Sequence, residues 1–384
     1  MKRLIILGAT GSIGTTALVA IQEKHLPIEV VGLSANSQVS KLSSLAQEFS
    51  LSSVALTRKQ STISNEESII PPLPSQKDGL QWFQSIDELL DATPCDIVLN
   101  AIAGFDGLEA SIKTLERGID LALANKESVV AGGSFLFQLA KEHSCTIIPV
   151  DSEHSAIHSL LQAQGRENVD SLIITASGGP FRLWDKERFS SITVADALNH
   201  PTWNMGKKIT IDSATLANKA LEVIEASYLF GFDGDHIEVS VHPQSIIHSM
   251  VRMKDGAVYA QLGVPDMTLP IIEGIIGNQN IPLLNPLSFT NLDLHFEDPD
   301  TDKFPMLSAA YLVIKKQGGY PIAFNAANEV AVRAFINHEI RFTDITRLTL
   351  EVLKEDFSAP IHSFSDVLQS DKKARDIITM MIKK

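Results

Sequence analysis

The sequence predicts an α/β protein in which a doubly wound parallel sheet is followed by a central α+β domain and a C-terminal helical domain. Over the first 150 residues, short apolar strands alternate with amphipathic helices, which favours a parallel sheet covered on both faces. A glycine-rich turn follows the first of these strands. After Asp151 the alternation becomes irregular, and from Pro305 onward the pattern is typical of helices.

The N-terminal region supplies the elements of the predicted parallel sheet. Its strands are predicted at residues 4–7, 28–33, 53–56, 97–100, 121–124 and 146–150. Its helices are predicted at residues 13–22, 39–49, 81–90, 108–117 and 135–142. Residues 61–78 are polar and contain three prolines, which are excluded from central strands, so this segment is interpreted as an excursion loop.

The rest of the chain is expected to mix strands and helices, with some antiparallel pairing. Strands are predicted at residues 171–176, 237–241, 245–251 and 258–262, and a single helix at 214–230. The long connection from Ser177 to Lys208 has few structural signals and is interpreted as a lid. The predicted domains are therefore residues 1–150, 151–276 and 304–384, with a linker at 277–303 that is rich in Asn, Pro and Asp.

Composition excludes several classes of protein. The chain has 384 residues and a formal net charge of −14, which argues against nucleic-acid binding but allows a small phosphorylated substrate. Its two cysteines, Cys95 and Cys145, cannot form a disulfide framework and suit a reducing compartment. No apolar stretch is long enough to span a bilayer or to act as a signal peptide, so a cytoplasmic protein without membrane contact is expected.

The glycine-rich turn at residues 8–14 predicts a dinucleotide site. It follows an apolar strand and opens a helix, as a Rossmann-like fold requires, and its glycines let the backbone approach a pyrophosphate. Its G-x-x-G-x-x-G spacing differs from the commoner G-x-G-x-x-G, so a tight turn without a nucleotide is the alternative. No carboxylate follows the second strand, at residues 34–38, which favours NADP over NAD.

Two acidic clusters predict a divalent-metal site. Asp151 and Glu153 follow an apolar run, and in an extended segment they would face the same side. Glu222 lies on a predicted helix face with Asn218 and Lys219. Oxygen ligands of this kind suit Mg²⁺ or Mn²⁺. A solvated acidic turn and an ordinary ion pair on a helix surface are the alternatives.

Three further groups of residues can contact a ligand. Ser177 precedes two glycines at the end of a strand, where backbone amides and the hydroxyl can hold a phosphate. His200 and Trp203 lie in the predicted lid, where each can contact a ligand or only pack. Ser213 and Thr215 can contribute hydroxyls or simply cap the helix that is predicted after them.

Together, these motifs closely resemble the 1-deoxy-D-xylulose 5-phosphate reductoisomerase family over essentially the whole chain. The resemblance rests on the residues of each motif and on the order of the motifs along the chain. They are Gly-Ala-Thr-Gly-Ser-Ile-Gly at 8–14, Ala-Asn-Lys-Glu-Ser at 124–128, Pro-Val-Asp-Ser-Glu-His at 149–154, Ala-Ser-Gly-Gly-Pro-Phe-Arg at 176–182, His-Pro-Thr-Trp-Asn-Met-Gly-Lys-Lys at 200–208, Asp-Ser-Ala-Thr-Leu-Ala-Asn-Lys-Ala-Leu-Glu at 212–222, His-Pro-Gln-Ser at 242–245 and Asn-Ala-Ala-Asn-Glu at 325–329.

The resemblance implies a homodimeric enzyme that uses NADPH and Mn²⁺ or Mg²⁺. It would rearrange 1-deoxy-D-xylulose 5-phosphate and reduce the product to 2-C-methyl-D-erythritol 4-phosphate in the non-mevalonate isoprenoid pathway. Sequence alone leaves open whether the rearrangement proceeds by retro-aldol cleavage or by a direct shift. It also leaves two alternatives: another NADP-dependent sugar or semialdehyde dehydrogenase, and a nucleotide-sensing protein without turnover.

The resemblance also implies roles for individual residues, motif by motif. The expected metal ligands are Asp151, Glu153 and Glu222. The expected substrate contacts are Lys126, Ser152, Glu153, Ser177, His200, Ser213, Asn218, Lys219 and Glu222, of which Lys126, Glu153, His200 and Glu222 are the catalytic candidates. The expected cofactor contacts are Thr10, Gly11, Ser12, Ile13, Asn36, Gln38, Asn125, Glu127 and Gly206.

One segment departs from the family pattern. After the second strand, the family commonly has a glycine, a basic residue and an asparagine, whereas this chain has Asn36, Ser37 and Gln38. No Lys or Arg follows until Lys41. The preference for NADPH over NADH is therefore expected to be smaller than in relatives that have the basic residue.

Overall fold

The computed structural model of this chain describes residues 1–57, 79–203, 205–279 and 281–383. The loop predicted at residues 61–78 lies outside the described residues. Within the described ranges, the chain forms two compact units. The first unit comprises Met1–Ser128, Leu136–Asp151 and Asp266–Leu284, and the second comprises Val129–Phe135, Ser152–Pro265 and Asn285–Lys384. None of the helices in these ranges is both long enough and apolar enough to cross a membrane.

The described residues contain eleven strands, fourteen α-helices and three short 3-10 helices. The strands are β1 Lys2–Leu7, β2 Ile28–Ala35, β3 Ser53–Leu56, β4 Gln81–Phe83, β5 Ile97–Asn100, β6 Asp120–Leu123, β7 Ile147–Pro149, β8 Val169–Ala176, β9 Ile237–Val241, β10 Ile247–Met253 and β11 Val258–Leu262. The helices are α1 Ser12–Glu23, α2 Val39–Glu48, α3 Ile86–Ala92, α4 Asp106–Leu115, α5 Lys126–Glu142, α6 Ser152–Gln164, α7 Val194–Ala197, α8 Lys207–Ala214, α9 Ala217–Phe230, α10 Thr268–Ile276, α11 Met306–Lys316, α12 Tyr320–Ile336, α13 Phe342–Val352 and α14 Phe364–Ile382.

The first unit is built on a seven-stranded sheet, which confirms the predicted doubly wound fold. Its strand order in the described chain is β4-β3-β2-β1-β5-β6-β7, and each neighbouring pair is parallel. From β1 the chain winds first toward β2 and later toward β5, so the order reverses between β1 and β5. In open sheets of this kind, ligands bind outside the carboxyl ends of the strands at such a reversal.

The predicted helix at residues 81–90 is wrong at its start. Gln81–Phe83 form the short edge strand β4, which pairs with β3. The helix α3 begins only at Ile86, because the Ser85 side chain caps it by accepting a hydrogen bond from the Glu88 amide at 3.2 Å. The apolar residues at 82–83 therefore belong to a strand rather than to the first turn of a helix.

A segment distant in sequence completes the core of the first unit. The helix α10 buries Ile271, Ile272 and Ile275 in the same core cluster as strands β1, β5 and β6. Gly274 allows this close packing, because a Cβ atom there would lie 2.8 Å from Val150 Cγ2.

The second unit contains a mixed four-stranded sheet and the C-terminal helices α11 to α14. The strand order is β11-β10-β8-β9 within the described residues. The strand β10 is antiparallel to both neighbours, whereas β8 and β9 are parallel. The predicted antiparallel pairing and the helical C-terminal region are thus confirmed.

The single helix predicted at residues 214–230 is instead a pair of helices. The helix α8 ends at Ala214, and α9 begins at Ala217. Between them, Leu216 adopts a left-handed conformation with φ of 57°, which interrupts the helix. Ser213 therefore lies in the last turn of α8 and does not cap a helix, whereas Thr215 Oγ1 accepts a hydrogen bond from the Ala217 amide at 3.3 Å.

Candidate active site

A cavity of about 300 Å³ lies in the first unit, beside the reversal of strand order. Its lining includes the turn after β1, the end of β2 and the start of α4. Four of the predicted cofactor contacts line it, namely Thr10, Gly11, Asn36 and Gln38. Two others, Ser12 and Ile13, lie in the first turn of α1.

The glycines of the turn are required by close backbone approaches. Gly8 has φ of 80°, and a Cβ atom there would lie 2.8 Å from the Ala101 carbonyl oxygen. A Cβ atom at Gly14 would lie 2.6 Å from Ala9 Cα. Gly11 precedes α1 without supplying a side-chain cap. In this described segment, the first amides of α1 are therefore available to an anion, as in dinucleotide sites.

The ends of β6 and β7 carry a second group of predicted residues. Asn125 caps α5: its Oδ1 accepts from the Ser128 amide at 2.8 Å, and its Nδ2 donates to Glu127 Oε2 at 3.0 Å. The buried Lys126 forms an ion pair with Asp151, with 2.5 Å between Nζ and Oδ2. The polar groups of Asn125, Lys126, Glu127 and Asp151 thus lie at the carboxyl edge of the sheet, within the first unit.

The second unit contains a buried cluster of two carboxylates and a lysine. Lys219 Nζ donates to Glu153 Oε1 at 2.7 Å and also to Glu222 Oε2. Asn218 Nδ2 donates to the other Glu222 oxygen at 2.5 Å, and Ser152 Oγ donates to Glu153 Oε2 at 2.5 Å. Burial alone would lower the pKa of Lys219, but the charges of Glu153 and Glu222 raise it overall. The lysine is therefore a fixed cation between two carboxylates.

The local geometry predicted for the acidic pair is wrong. Asp151 and Glu153 were expected in an extended segment, whereas α6 begins at Ser152, so Glu153 lies in its first helical turn. Asp151 is the last residue before this helix and belongs to the first unit. Carboxylate oxygens of Glu153 and Glu222 lie within 4.8 Å of each other. Two carboxylates at this spacing fit a hard divalent cation, which prefers oxygen ligands.

Ser177, His200 and Ser213 converge on one point in the second unit. His200 Nε2 lies 3.2 Å from Ser177 Oγ and 3.1 Å from Ser213 Oγ. The Thr202 and Trp203 amides donate to His200 Nδ1, so the ring proton of the neutral histidine is on Nε2 and points at the two hydroxyls. Burial lowers the pKa of His200, which favours this neutral form. Three side-chain donors therefore face one small volume.

Glycines bring this group together. Gly179 has φ of 70°, and a Cβ atom there would lie 2.5 Å from the Ser213 carbonyl oxygen. Its amide also donates to Ser177 Oγ at 3.4 Å. Gly206, a predicted cofactor contact, is the N-cap of α8 and supplies no side-chain cap.

Sequence reasoning missed the buried residues that hold these helices in place. His154 Nε2 donates to the Glu222 carbonyl oxygen at 3.0 Å, and its Nδ1 lies 3.2 Å from Glu225 Oε2. Asn328 Nδ2 donates to Asp212 Oδ1 at 2.7 Å, which connects α12 to α8 immediately before Ser213. The only signal in the sequence was that His154 and Asn328 stand within recognised motifs.

Comparison with known sequences identifies similar proteins along nearly the whole chain. The profile of 1-deoxy-D-xylulose 5-phosphate reductoisomerase matches residues 4–133, and two profiles of its C-terminal domain match residues 147–230 and 262–377. The 1-deoxy-D-xylulose 5-phosphate reductoisomerase of Treponema pallidum (strain Nichols) is 45% identical, covering 98% of this chain and 96% of the relative. That of Chloroherpeton thalassium is 44% identical, covering 98% and 97%.

Solved structures show the same similarity. The reductoisomerase from Zymomonas mobilis in complex with NADPH superposes with a TM-score of 0.88 at 36% identity, covering 100% of this chain and 99% of that chain. A DOX-P reductoisomerase in complex with NADPH, fosmidomycin and magnesium superposes with a TM-score of 0.87 at 34% identity, covering 100% and 98%.

Proposed function

Because this chain belongs to the 1-deoxy-D-xylulose 5-phosphate reductoisomerase family, we propose that it converts 1-deoxy-D-xylulose 5-phosphate to 2-C-methyl-D-erythritol 4-phosphate. The reaction uses NADPH and a divalent metal and serves isoprenoid biosynthesis. Solved relatives hold NADPH and magnesium. With its free cysteines, Cys95 and Cys145, the chain suits the reducing cytoplasm.

The observation that carries this proposal is the buried cluster around Lys219. An NADP-dependent dehydrogenase that only transfers hydride needs no set of carboxylates, whereas Glu153 and Glu222 are held together by a lysine at the cost of desolvation. We assign Glu153 and Glu222 as metal ligands, and we assign Asp151, which directly precedes α6 in the chain, as the third ligand that the family resemblance implies. A cation bound to them would act as a Lewis acid and stabilise negative charge on the carbonyl and hydroxyl oxygens of a ketose.

The remaining residues of the cluster bind and orient the substrate. Lys219 and Asn218 flank Glu222 and can donate hydrogen bonds to substrate oxygens once a metal competes for the carboxylates. In the first unit, Lys126 at the start of α5 is a buried cation that the family resemblance also assigns to the substrate. Such groups hold the reacting carbons in one orientation, which lowers the entropic cost of the rearrangement. NADPH, when bound, would supply the hydride that reduces the aldehyde.

The donors of Ser177, His200 and Ser213 are assigned to the substrate phosphate. A neutral His200 donates through Nε2 without losing a proton to the phosphate. Because the phosphate does not react, its binding energy can be used to close the segment that carries His200 over the substrate.

The assay that tests the function measures NADPH oxidation with 1-deoxy-D-xylulose 5-phosphate. We expect turnover with Mg²⁺ or Mn²⁺ and none after treatment with a chelator. Turnover that survives the chelator would instead indicate a metal-independent dehydrogenase. NADPH binding without any oxidation would indicate a nucleotide-sensing protein.

Trp203→Ala is expected to raise KM and lower kcat together, by roughly tenfold in kcat/KM, because lid closure excludes water and completes the site. The Trp203 amide donates to His200 Nδ1, which ties this turn to the assigned phosphate site. Limited proteolysis should cut near residue 203 in the free enzyme, and a phosphonate substrate analogue should suppress the cut. Equal cleavage with and without the analogue would mean that the segment is packed and does not act as a lid.

A homodimer is also part of the proposed function, and the edge strand β11 supports it. This strand exposes Val258, Tyr259 and Leu262, whose exposed fractions are 48%, 44% and 37%. An edge strand with exposed apolar residues is a template for pairing with another chain.

Val258→Lys is expected to weaken the dimer, because a charge on an edge strand opposes pairing. Sedimentation velocity of the wild type and the variant would measure the shift toward monomer. Leu312→Lys, which charges an exposed apolar residue on α11, is the control. A wild-type chain that is monomeric at all concentrations would exclude the dimer.

A further inference from the structure

Lys41 lies in the first unit beside the glycine-rich turn. It is an exposed residue in the first turn of α2, and its Nζ donates to the Thr10 carbonyl oxygen at 2.8 Å and to Thr15 Oγ1 at 3.3 Å. Thr10 lines the cavity, and so does Gln38, which precedes α2. The ammonium group is therefore placed beside the glycine-rich turn, part of which lines the cavity.

The charges around the cavity decide where a phosphate dianion can bind. Among the residues described in its lining, Lys113 is the one cation, but its Nζ forms ion pairs with Glu109, at 2.8 Å, and with Asp87. Asp106 and Glu109 also line this α4 side. A phosphate there would meet carboxylates and a cation that is already neutralised. The α4 side of the cavity thus repels a dianion.

The lining of the cavity at the end of β2 is neutral, and Lys41 follows it in the chain, in the first turn of α2. The oxygens that accept from Lys41 are neutral, so its charge is not offset by a carboxylate there. Thr57 Oγ1 donates to Asn36 Oδ1 at 3.2 Å, and both of these neutral residues line the cavity. In the described α2, no acidic residue occupies the first turn, so the helix dipole also favours an anion.

We propose that Lys41 selects NADPH over NADH by binding the 2′-phosphate of the adenosine ribose. It takes the place of the basic residue that is absent from residues 36–38. This inference rests on the proposed function, because it concerns the cofactor of that reaction. When NADPH binds, the ammonium group gives up its hydrogen bonds to the neutral oxygens of Thr10 and Thr15 and binds the 2′-phosphate. A dianion is a stronger hydrogen-bond acceptor for a lysine than a neutral oxygen is.

The test is a fluorescence titration of the full-length chain with NADPH and, separately, with NADH. In Lys41→Gln, we expect the Kd for NADPH to rise on the order of tenfold to a hundredfold, the range for a charge-assisted hydrogen bond. The Kd for NADH should not change. Lys24→Gln, at another exposed lysine of the same unit, is the control and should alter neither Kd.

A second variant tests the role directly. Adding Ser37→Lys to Lys41→Gln restores a cation after β2, so it should recover part of the affinity for NADPH and none for NADH. Equal losses for both cofactors in Lys41→Gln would mean that Lys41 only supports the turn through Thr10, and would overturn the inference. An unchanged Kd for NADPH would overturn it as well. A wild-type chain that binds neither cofactor would overturn the proposed function itself.

Discussion

Glu222→Gln is expected to reduce metal-dependent turnover by more than roughly a hundredfold. Replacing a residue that only hydrogen-bonds to a metal ligand typically lowers activity by up to about a hundredfold, and the loss of a ligand itself should be larger. Glu222 is buried, with one oxygen bound to Asn218 and the other to Lys219. The substitution keeps the shape of the side chain but removes its charge. Affinity for Mg²⁺ or Mn²⁺ should fall, while NADPH binding should remain normal because the cavity in the first unit is untouched.

The measurement is kcat/KM as a function of metal concentration, together with a titration of NADPH. Asp151→Asn should give the same pattern if Asp151 is a ligand as proposed. Glu351→Gln is the matched control, since Glu351 is 47% exposed and pairs with Lys354 on the protein surface. Wild-type metal affinity and turnover in Glu222→Gln would rule out a metal site at this residue.

Lys219→Met is expected to remove activity and to make the stability of the protein depend strongly on metal. Without the ammonium group, Glu153 and Glu222 face each other with no cation between them. Breaking a buried ion pair in this way costs about 3–5 kcal/mol in the free energy of unfolding. A divalent cation bound to the two carboxylates would recover much of that loss.

Thermal unfolding with and without Mg²⁺ measures this dependence. Mg²⁺ should raise the Tm of Lys219→Met by more than it raises the Tm of the wild type. Lys354→Met is the control, because its side chain is 70% exposed and surface ion pairs contribute little. The same metal-induced shift in the variant and the wild type would mean that the two carboxylates do not bind the cation.

The first sheet was predictable because its sequence signals are local. Apart from the edge strand β4, each strand is a short apolar run, the core residues of β1 are fully buried, and the glycines at 8 and 14 stand where a Cβ atom has no space. The cofactor residues Thr10, Gly11, Asn36 and Gln38 follow the ends of β1 and β2, so their place beside the cavity follows from the order of the strands. Their contacts with a cofactor remain predictions.

The errors arose where a tertiary contact or an unusual dihedral overrides the local pattern. Nothing in the sequence around Leu216 marks a helix break, since neither glycine nor proline is present and the left-handed residue is a leucine. Glu153 follows an apolar strand so closely that an extended chain was expected, yet α6 begins one residue after Asp151. The hydrogen bonds of His154 and Asn328 could not be predicted, because each joins helices that are distant in sequence.

The helix α10 has a consequence for biosynthesis. It is made more than a hundred residues after β7, yet it supplies Ile271, Ile272 and Ile275 to the core of the first unit. When only residues 1–150 have emerged from the ribosome, the apolar surface of the first sheet that α10 later covers is therefore still exposed. The first unit can reach its final packing only after the greater part of the second has been synthesised, so the growing chain has to be protected from aggregation during that interval.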